Sequence, residues 1–505
     1  MYWLILLGFL ALFVIFVIKA IDHSHHWKKL GIPGPKSLPF AGNIYDLKGC
    51  IPQQIEEWTK EYGETFGIQK GRTNILVTSN PALIIEVIVD RFDTFYGREV
   101  PPTMGDVELS PRINLFLAAG RRWKRQRTLV NPVFSVKNLK KIMPIIEDSG
   151  NVMLKHLEEQ QASNKVMDIQ PFFFEYTLDI ICRTAFGFED STQFRNPYRK
   201  DLLYLLNNLG GIFTDLSWMF PSIWLPLRYL DLCKKIYQGI GFRFLVKSVR
   251  KAVNDRKESR KSEEVNEEPK DFIDMFLNHE DVVEYEKTGE AYDKTNIHVE
   301  KKIAIDEIFS NCFLFLIVGY DTTANVLSFT TYFLSQHQDV QDKVRAEIKE
   351  VCGDEELTYE RLNSLRYTDA VIKETLRFIP IGTSVLNRTA SKDTTIGNNI
   401  QIKKGDIIQV DTISYHRRKD VWGDDAEEFR PERFLEEHRA EQSYGFGGGP
   451  RICVGMRLAY LELKSTLSKI LPRYRIKPVP DSPPLKFKPT MILSIEEMVV
   501  QVEEL

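Results

Sequence analysis

The chain has 505 residues, of which 43% are hydrophobic and 27% charged, with a formal net charge of -3. This is the composition of an ordinary folded protein, long enough for one large domain or several small ones, and it excludes a global basic field of the kind that gathers nucleic acid. The six cysteines, Cys50, Cys182, Cys233, Cys312, Cys352 and Cys453, are scattered without a C-x-x-C pair, which argues against a structural zinc site and against a disulfide framework.

Residues Tyr2 to Ile18 carry no charge and are almost wholly apolar. That length is at the short end for a bilayer span, and a cleaved signal peptide is the competing reading. No small-x-small site follows the apolar run. No Lys or Arg precedes it, whereas Lys19, Lys28 and Lys29 follow, which places the rest of the chain in the cytosol. A mitochondrial presequence would be amphipathic and Arg-rich. We expect an uncleaved membrane anchor over residues 1–21. Residues 22–45 then form a linker and Pro-rich hinge, with Pro33, Gly34, Pro35, Pro39 and Gly42, since Pro cannot continue a helix. It reads either as a plain linker or as a stiff hinge. No later linker divides residues 46–505, which are expected to form one catalytic domain.

Within that domain, Gln53 to Tyr62 has helical periodicity, and Ile68 to Thr78 reads as a β-hairpin turning at Lys70-Gly71. Helical patterns dominate from about Trp123 to Leu376. Ile396 to Val410 reads as a second strand pair around Lys403-Lys404-Gly405. A helix follows Cys453, from Met456 to Leu471, and the C-terminal tail reads as short strands and turns. The predicted fold is mainly α with a smaller β region, without internal repeats. Asp255 to Glu268 is a charged run and reads as a solvated loop or helix end. Residues 209–232 are rich in Ile, Phe, Leu and Trp but are broken by Pro221 and Pro226. They either pack into the core or dip into the bilayer beside the mouth of an apolar pocket.

The most informative segment is Phe446-Gly447-Gly448-Gly449-Pro450-Arg451-Ile452-Cys453-Val454-Gly455. It is a Gly-rich loop presenting one cysteine just before a helix. A thiolate there is stabilised by the helix dipole and free N–H donors. Glycines let the backbone approach a flat ligand closely. Arg451 can meet an anionic group on that ligand. A buried cysteine in a turn is the bland alternative, and a phosphate loop would add the Lys-Ser/Thr pair that is missing here.

The loop resembles the cysteine signature of the cytochrome P-450 family, F-x-x-G-x-R-x-C-x-G. Phe446, Gly449, Arg451, Cys453 and Gly455 match, while Gly445 stands where many members carry Pro. Other segments match further motifs of that family in its order. Trp123 to Arg127 fits W-x-x-x-R, and Glu374 to Arg377 fits E-x-x-R, two charges on one helix face. Phe429 to Phe434 resembles the aromatic-Pro-Arg motif, whose Arg433 would join Glu374 and Arg377 in a buried structural network. Gly319-Tyr320-Asp321-Thr322-Thr323 resembles the oxygen-activation motif, with Val318 where Ala or Gly is usual, so that a branched side chain crowds the oxygen pocket. Taken singly, each arginine could be a surface charge, and each threonine could simply satisfy the preceding turn.

The resemblance implies a haem-thiolate monooxygenase. Cys453 would ligate the iron of heme b, and Trp123, Arg127, Arg388, Arg451 and Arg98 would meet the haem propionates. Phe446 and Gly455 would shape the loop, and Asp321 and Thr322 would deliver protons to bound dioxygen. The wording is closest to animal microsomal members that oxidise lipophilic foreign compounds and steroids, which implies the endoplasmic reticulum membrane with the catalytic domain on its cytosolic side. The implied partners are an NADPH-cytochrome reductase, with cytochrome b5 as a second donor, a lipophilic substrate, O2 and membrane lipid. Arg121, Arg122, Lys124, Arg125, Lys137, Lys140 and Lys141 would form a basic docking patch for the reductase. The pocket is expected from residues 99–119, the 209–232 region, Phe315, Val318 and Ile381 to Leu386. A haem-thiolate isomerase of lipid peroxides and a non-catalytic haem carrier are the alternatives.

Overall fold

The apolar N-terminal run folds as one helix, Tyr2–Ser24, in a computed structural model that describes all residues except 1, 208–209, 238–241, 262–268, 270, 289–298, 354, 437–438, 482–483 and 491. At 1.5 Å per residue its 23 residues extend about 35 Å, enough for a hydrocarbon core of about 30 Å. Its side chains are almost all exposed. A second helix of sufficient length and apolarity, Ile305–Gln336, is largely buried inside the protein.

The segment assigned to the linker does not swing free. Trp27 is buried, and its Nε1 donates to the Ile68 carbonyl at 2.8 Å. The indole occupies space left by a glycine, for a Cβ at Gly67 would lie 2.1 Å from Trp27 Cγ. Gly67 N donates to Pro33 O at 2.8 Å, and Asn43 N donates to Gln69 O at 2.6 Å. The chain from 27 to 43 is therefore strapped along the first strand.

That strand, Thr65–Lys70, forms the expected hairpin with Thr73–Thr78, Lys70 opposite Thr73. The sheet continues with Ile407–Val410, parallel to the second strand, and ends with Asn387–Thr389, antiparallel. The expected strand pair across Lys403-Lys404-Gly405 does not form. Thr394–Ile396 pairs with Ile400–Ile402 across Gly397, Asn398 and Asn399, and Ile407–Val410 belongs to the larger sheet. Gly397 and Asn399 both take positive φ, the conformation that hairpin turns demand. All four residues of Ile407–Val410 are buried, as suits a strand with partners on both edges.

The helical body centres on Ile305–Gln336, a 32-residue helix. It packs closely on Gln170–Phe186, a helix buried along nearly its whole length. A Cβ at Gly319 would sit 3.0 Å from Ile181 Cγ1, and Thr177 Oγ1 donates to the Tyr320 carbonyl at 2.8 Å. Pro at the first turn and Gly187 in the left-handed conformation after its end bound the second helix, as capping preferences direct. Arg366–Phe378 and Met456–Ile470 complete the frame around the site. The C-terminal strands Tyr474–Pro478 and Val499–Glu504 pair with each other, and the latter also with Val166–Asp168.

The two readings of residues 209–232 divide between faces. Ile212–Met219 and Trp224–Tyr237 are helices broken at Phe220 and Pro221. Trp218 and Met219 are buried beside Ala41 and Ile44, while Ile212, Ile223, Leu225, Tyr229 and Leu230 are exposed. Phe40 links this segment to the N-terminal helix, its ring 5.0 Å from that of Phe16 and 5.8 Å from that of Phe220. The exposed apolar face and the N-terminal helix thus share one side of the molecule. Residue 209, and 262–268 of the charged run, lie outside the described residues.

Candidate active site

The glycine loop bends where glycine is required. Gly447 and Gly449 have φ of +76° and +62°, and a Cβ at Gly449 would lie 2.2 Å from the Ile88 carbonyl oxygen. Cys453 N closes the loop by donating to Phe446 O at 3.0 Å, and the Phe446 ring packs on Tyr460. The helix Met456–Ile470 starts three residues later, with Gly455 at its N-cap. The backbone N–H groups of Gly455 and Met456 point at the Cys453 sulfur. Cys453 keeps accessible surface as a residue although the surrounding protein desolvates its thiol. Both hold if the sulfur faces an internal cavity. Burial pushes its thiol above the ordinary range, and the two N–H groups with Arg127 and Arg98 oppose that push.

Four arginines converge near the loop. Arg127 NH1 donates to Ile452 O at 2.8 Å, and Arg98 NH1 to Val385 O at 2.5 Å. Arg388 donates to Asn387 O at 2.8 Å and Gly448 O at 3.2 Å. Arg451 reaches Phe116 O and Ala118 O and lies 4.9 Å above the Trp123 ring. Arg98 also stacks on Phe116 at 4.5 Å. Burial lowers Arg98 to about 10, and it lowers Arg388 far below its ordinary value, with Arg98 adding repulsion. The Nε atoms of Arg98 and Arg388 are buried without a hydrogen-bond partner. Buried cations facing one another are costly without an anion. A planar ligand with two carboxylates over Cys453 would supply that anion, so these residues fit a haem and its propionates.

On the long helix, Val318 is 37% exposed although the Ile305–Gln336 helix around it is largely buried. Thr322, one turn on and on the same face, donates Oγ1 to the Val318 carbonyl at 2.8 Å. The hydroxyl thus satisfies the preceding turn on the same partly open face as Val318. Asp321 points elsewhere. It is buried, accepts from Asn325 Nδ2 at 3.1 Å, and is raised by burial to about 6. Asn325 escaped the sequence reading, although its i+4 spacing from Asp321 was a readable signal.

Glu374, Arg377 and Arg433 meet behind the cysteine loop with fully buried side chains. Arg377 Nε donates to Glu374 Oε2 at 2.8 Å and Arg433 Nε to Oε1 at 3.0 Å. His416, also missed in sequence, accepts from Tyr444 N through Nε2 at 3.1 Å, while its carbonyl accepts from Arg377. Burial and the Arg377 charge lower His416 to about 3, so it is neutral.

The expected basic docking patch is not one surface. Arg122 is buried and Arg125 nearly so, both paired with Glu307 on the long helix. Arg121, Lys137, Lys140 and Lys141 are exposed. The arginines of the Gly120–Val130 helix spread around its axis, so only some can face solvent.

The cytochrome P450 family model matches residues 32–502. Among Caenorhabditis elegans proteins that carry the name cytochrome P450, CYP13A10 is 38% identical over 487 residues, 93% of this chain and 93% of that protein. CYP13A5 is 39% identical over 473 residues, 89% of this chain and 88% of the relative. The chain belongs to the cytochrome P450 family. It is therefore a haem-dependent monooxygenase, an oxidoreductase that uses O2, an organic substrate and a redox partner, and its heme b is held by a cysteine thiolate. The mainly α fold with its smaller β region is the cytochrome P450 fold.

Proposed function

We propose that the Cys453 thiolate would hold the haem iron. The enzyme places one oxygen atom of O2 into a lipophilic substrate, a xenobiotic, steroid or fatty acid. The other atom leaves as water, with two electrons from an NADPH-cytochrome reductase and two protons. The single observation behind this is Cys453 at the start of a helix, with two backbone N–H groups aimed at its sulfur and the charges of Arg127 and Arg98 favouring its thiolate. Bound haem supplies the oxygen activation, which thiolate donation favours.

The chain's own residues do the rest. Trp123 supports Arg451, and Arg98, Arg127, Arg388 and Arg451 would neutralise the propionates of a bound haem. Phe446 and Gly455 fix the loop geometry. Asp321, raised to about 6, can gain and lose a proton near neutral pH, and Thr322 offers a hydroxyl on the cavity side. Val318, Phe315, Ile381 and Leu386 are apolar, which favours a lipophilic substrate. Residues 1–21 anchor the protein in the endoplasmic reticulum membrane, residues 22–45 strap the anchor to the sheet, and the domain from 46 onward stands on the cytosolic side. Cytochrome b5 is a second donor for the same surface.

Cys453→Ala tests the reading. The ferrous–CO band typical of thiolate ligation should vanish together with NADPH-dependent product; retention of both refutes it. Peroxide turnover without NADPH would instead favour the isomerase, against which the intact Asp321-Thr322 pair weighs. Haem binding without substrate-dependent NADPH oxidation would favour a carrier.

A further inference from the structure

We propose that Glu307 and Arg122 are positioning residues that latch the 105–119 loop to the long helix, thereby fixing one wall of the substrate cavity and the rate at which ligands reach it. This inference rests on the haem-monooxygenase reading for its cavity, but the latch itself is read from geometry.

The 105–119 loop contains no helix or strand, so its backbone must find partners elsewhere. It finds charged and amide side chains. Arg122 donates to the carbonyls of Val107 at 3.3 Å, Ser110, and Pro111 at 3.1 Å. Gln126 Nε2 donates to Ile113 O at 2.9 Å, and Leu115 N donates to Asn311 Oδ1 at 2.9 Å. Phe116 O and Ala118 O are held by Arg451. The loop is thus tied from 107 to 118 either to the long helix's partners or to an arginine of the haem site.

Glu307 is the hub. It is fully buried and accepts from Arg122 Nε at 2.9 Å, Arg125 NH2 at 2.8 Å, and Gln126 Nε2 at 3.0 Å through Oε1. Its Oε2 accepts from Arg125 NH1 at 2.9 Å and Ala304 N at 3.2 Å. Asn311 lies one turn further along the same helix, and Val318 seven residues beyond Asn311, so anchor points and cavity residue share one face. A movement at Glu307 is therefore transmitted along a loop whose far end is held by Asn311 and by Arg451.

A second segment covers the latch from outside. The Tyr285 ring stacks against Arg122 at 4.4 Å. Thr288 Oγ1 accepts from Arg121 N at 3.2 Å, and Thr288 N donates to Glu108 Oε1 at 3.2 Å. Gly120 makes room for it, since a Cβ there would lie 1.9 Å from Thr288 Oγ1.

Glu307→Gln keeps the shape but removes the charge that holds two guanidinium groups together. Arg122→Lys keeps the charge but loses the fork that spans three carbonyls. The test uses the full-length, haem-loaded protein. Both variants should keep the thiolate-type ferrous–CO band. The association rate of an apolar azole ligand should rise by about tenfold, the scale of one lost charge-assisted hydrogen bond. The ratio of oxidation products from a bulky apolar substrate should shift, with KM changing more than kcat. Amide hydrogen exchange over 106–118 should quicken in both. Variants with wild-type association rates, product ratios and exchange overturn the proposal. If a variant fails to retain haem, the wild-type protein decides. Amides of 106–118 that exchange as slowly as those of the Ile305–Gln336 helix support the latch, and exchange within seconds overturns it. A wild-type protein lacking the thiolate-type band would sink the haem-thiolate reading while leaving the exchange result standing.

Discussion

Glu374→Gln puts a number on the buried network behind the cysteine loop. The Glu374 carboxylate accepts four hydrogen bonds: from Arg377 Nε at 2.8 Å, Arg377 NH2 at 2.9 Å, Arg433 Nε at 3.0 Å and Arg430 N at 2.8 Å. An amide in its place keeps one acceptor oxygen for the three donors on Oε1 and turns an NH2 donor toward the Arg377 Nε donor. Removing one partner of a buried ion pair costs roughly 3–5 kcal/mol. The lower end applies, because Arg377 retains the carbonyls of His416, Ala426 and Glu428, and Arg433 retains those of Trp422, Asp425 and Glu428. A loss of about 3 kcal/mol is a large share of a total stability of roughly 5–15 kcal/mol. Urea unfolding of the haem-loaded protein, followed by tryptophan fluorescence, reads it. Trp422 is fully buried with the Arg377 guanidinium 5.4 Å from its ring, so it reports on this network directly. With a slope of about 3 kcal/mol per molar urea, the midpoint should fall by about 1 M. An unchanged midpoint would refute the assignment of this network as the support of the loop.

Two further outcomes are expected. The folded-state pKa of Asp321, raised to about 6 from 3.8, means that the folded protein holds a proton the unfolded chain releases. The associated stability is full below 3.8 and is lost as pH rises through about 6, so Asp321→Asn should flatten the thermal midpoint across that window and remove an inflection near its upper edge from turnover. An identical inflection in the variant would disprove the role of this carboxyl. Gly67→Ala drives a Cβ into Trp27 and should release the strap, so that limited proteolysis cuts residues 27–43 faster while the ferrous–CO band stays unchanged. Trp27→Ala should do the same, and unchanged cutting in both would mean the strap is held by other contacts.

What could be read from sequence was chemistry confined to one turn. Cys453, its glycines and the helix start after it lie within a few residues, and Glu374 with Arg377 share a helix face, so residue type and spacing carried the information. The partner that makes each group act was harder to see. Arg122 and Arg125 carry the same charge whether they face a reductase or Glu307, and Glu307 lies 182 residues beyond Arg125. The strand pair after Ile396 failed for a similar reason. Short apolar alternation shows that Ile407–Val410 is a strand but not which edge it joins, whereas Gly397 and Asn399 mark the real turn. The strap along residues 27–43 was not legible in sequence, because Pro33, Gly34 and Pro35 rule out a helix without naming a partner, and only the bare backbone of Gly67 shows where Trp27 lodges. These reassignments bear on one another. With Arg122 and Arg125 turned inward, the exposed cations of the expected patch are Arg121, Lys137, Lys140 and Lys141, and Lys140 is paired with Glu360. The buried pair is held by Glu307 instead. Charge placed on the Gly120–Val130 helix therefore has two destinations, Arg121 toward solvent and Arg122 with Arg125 toward the long helix.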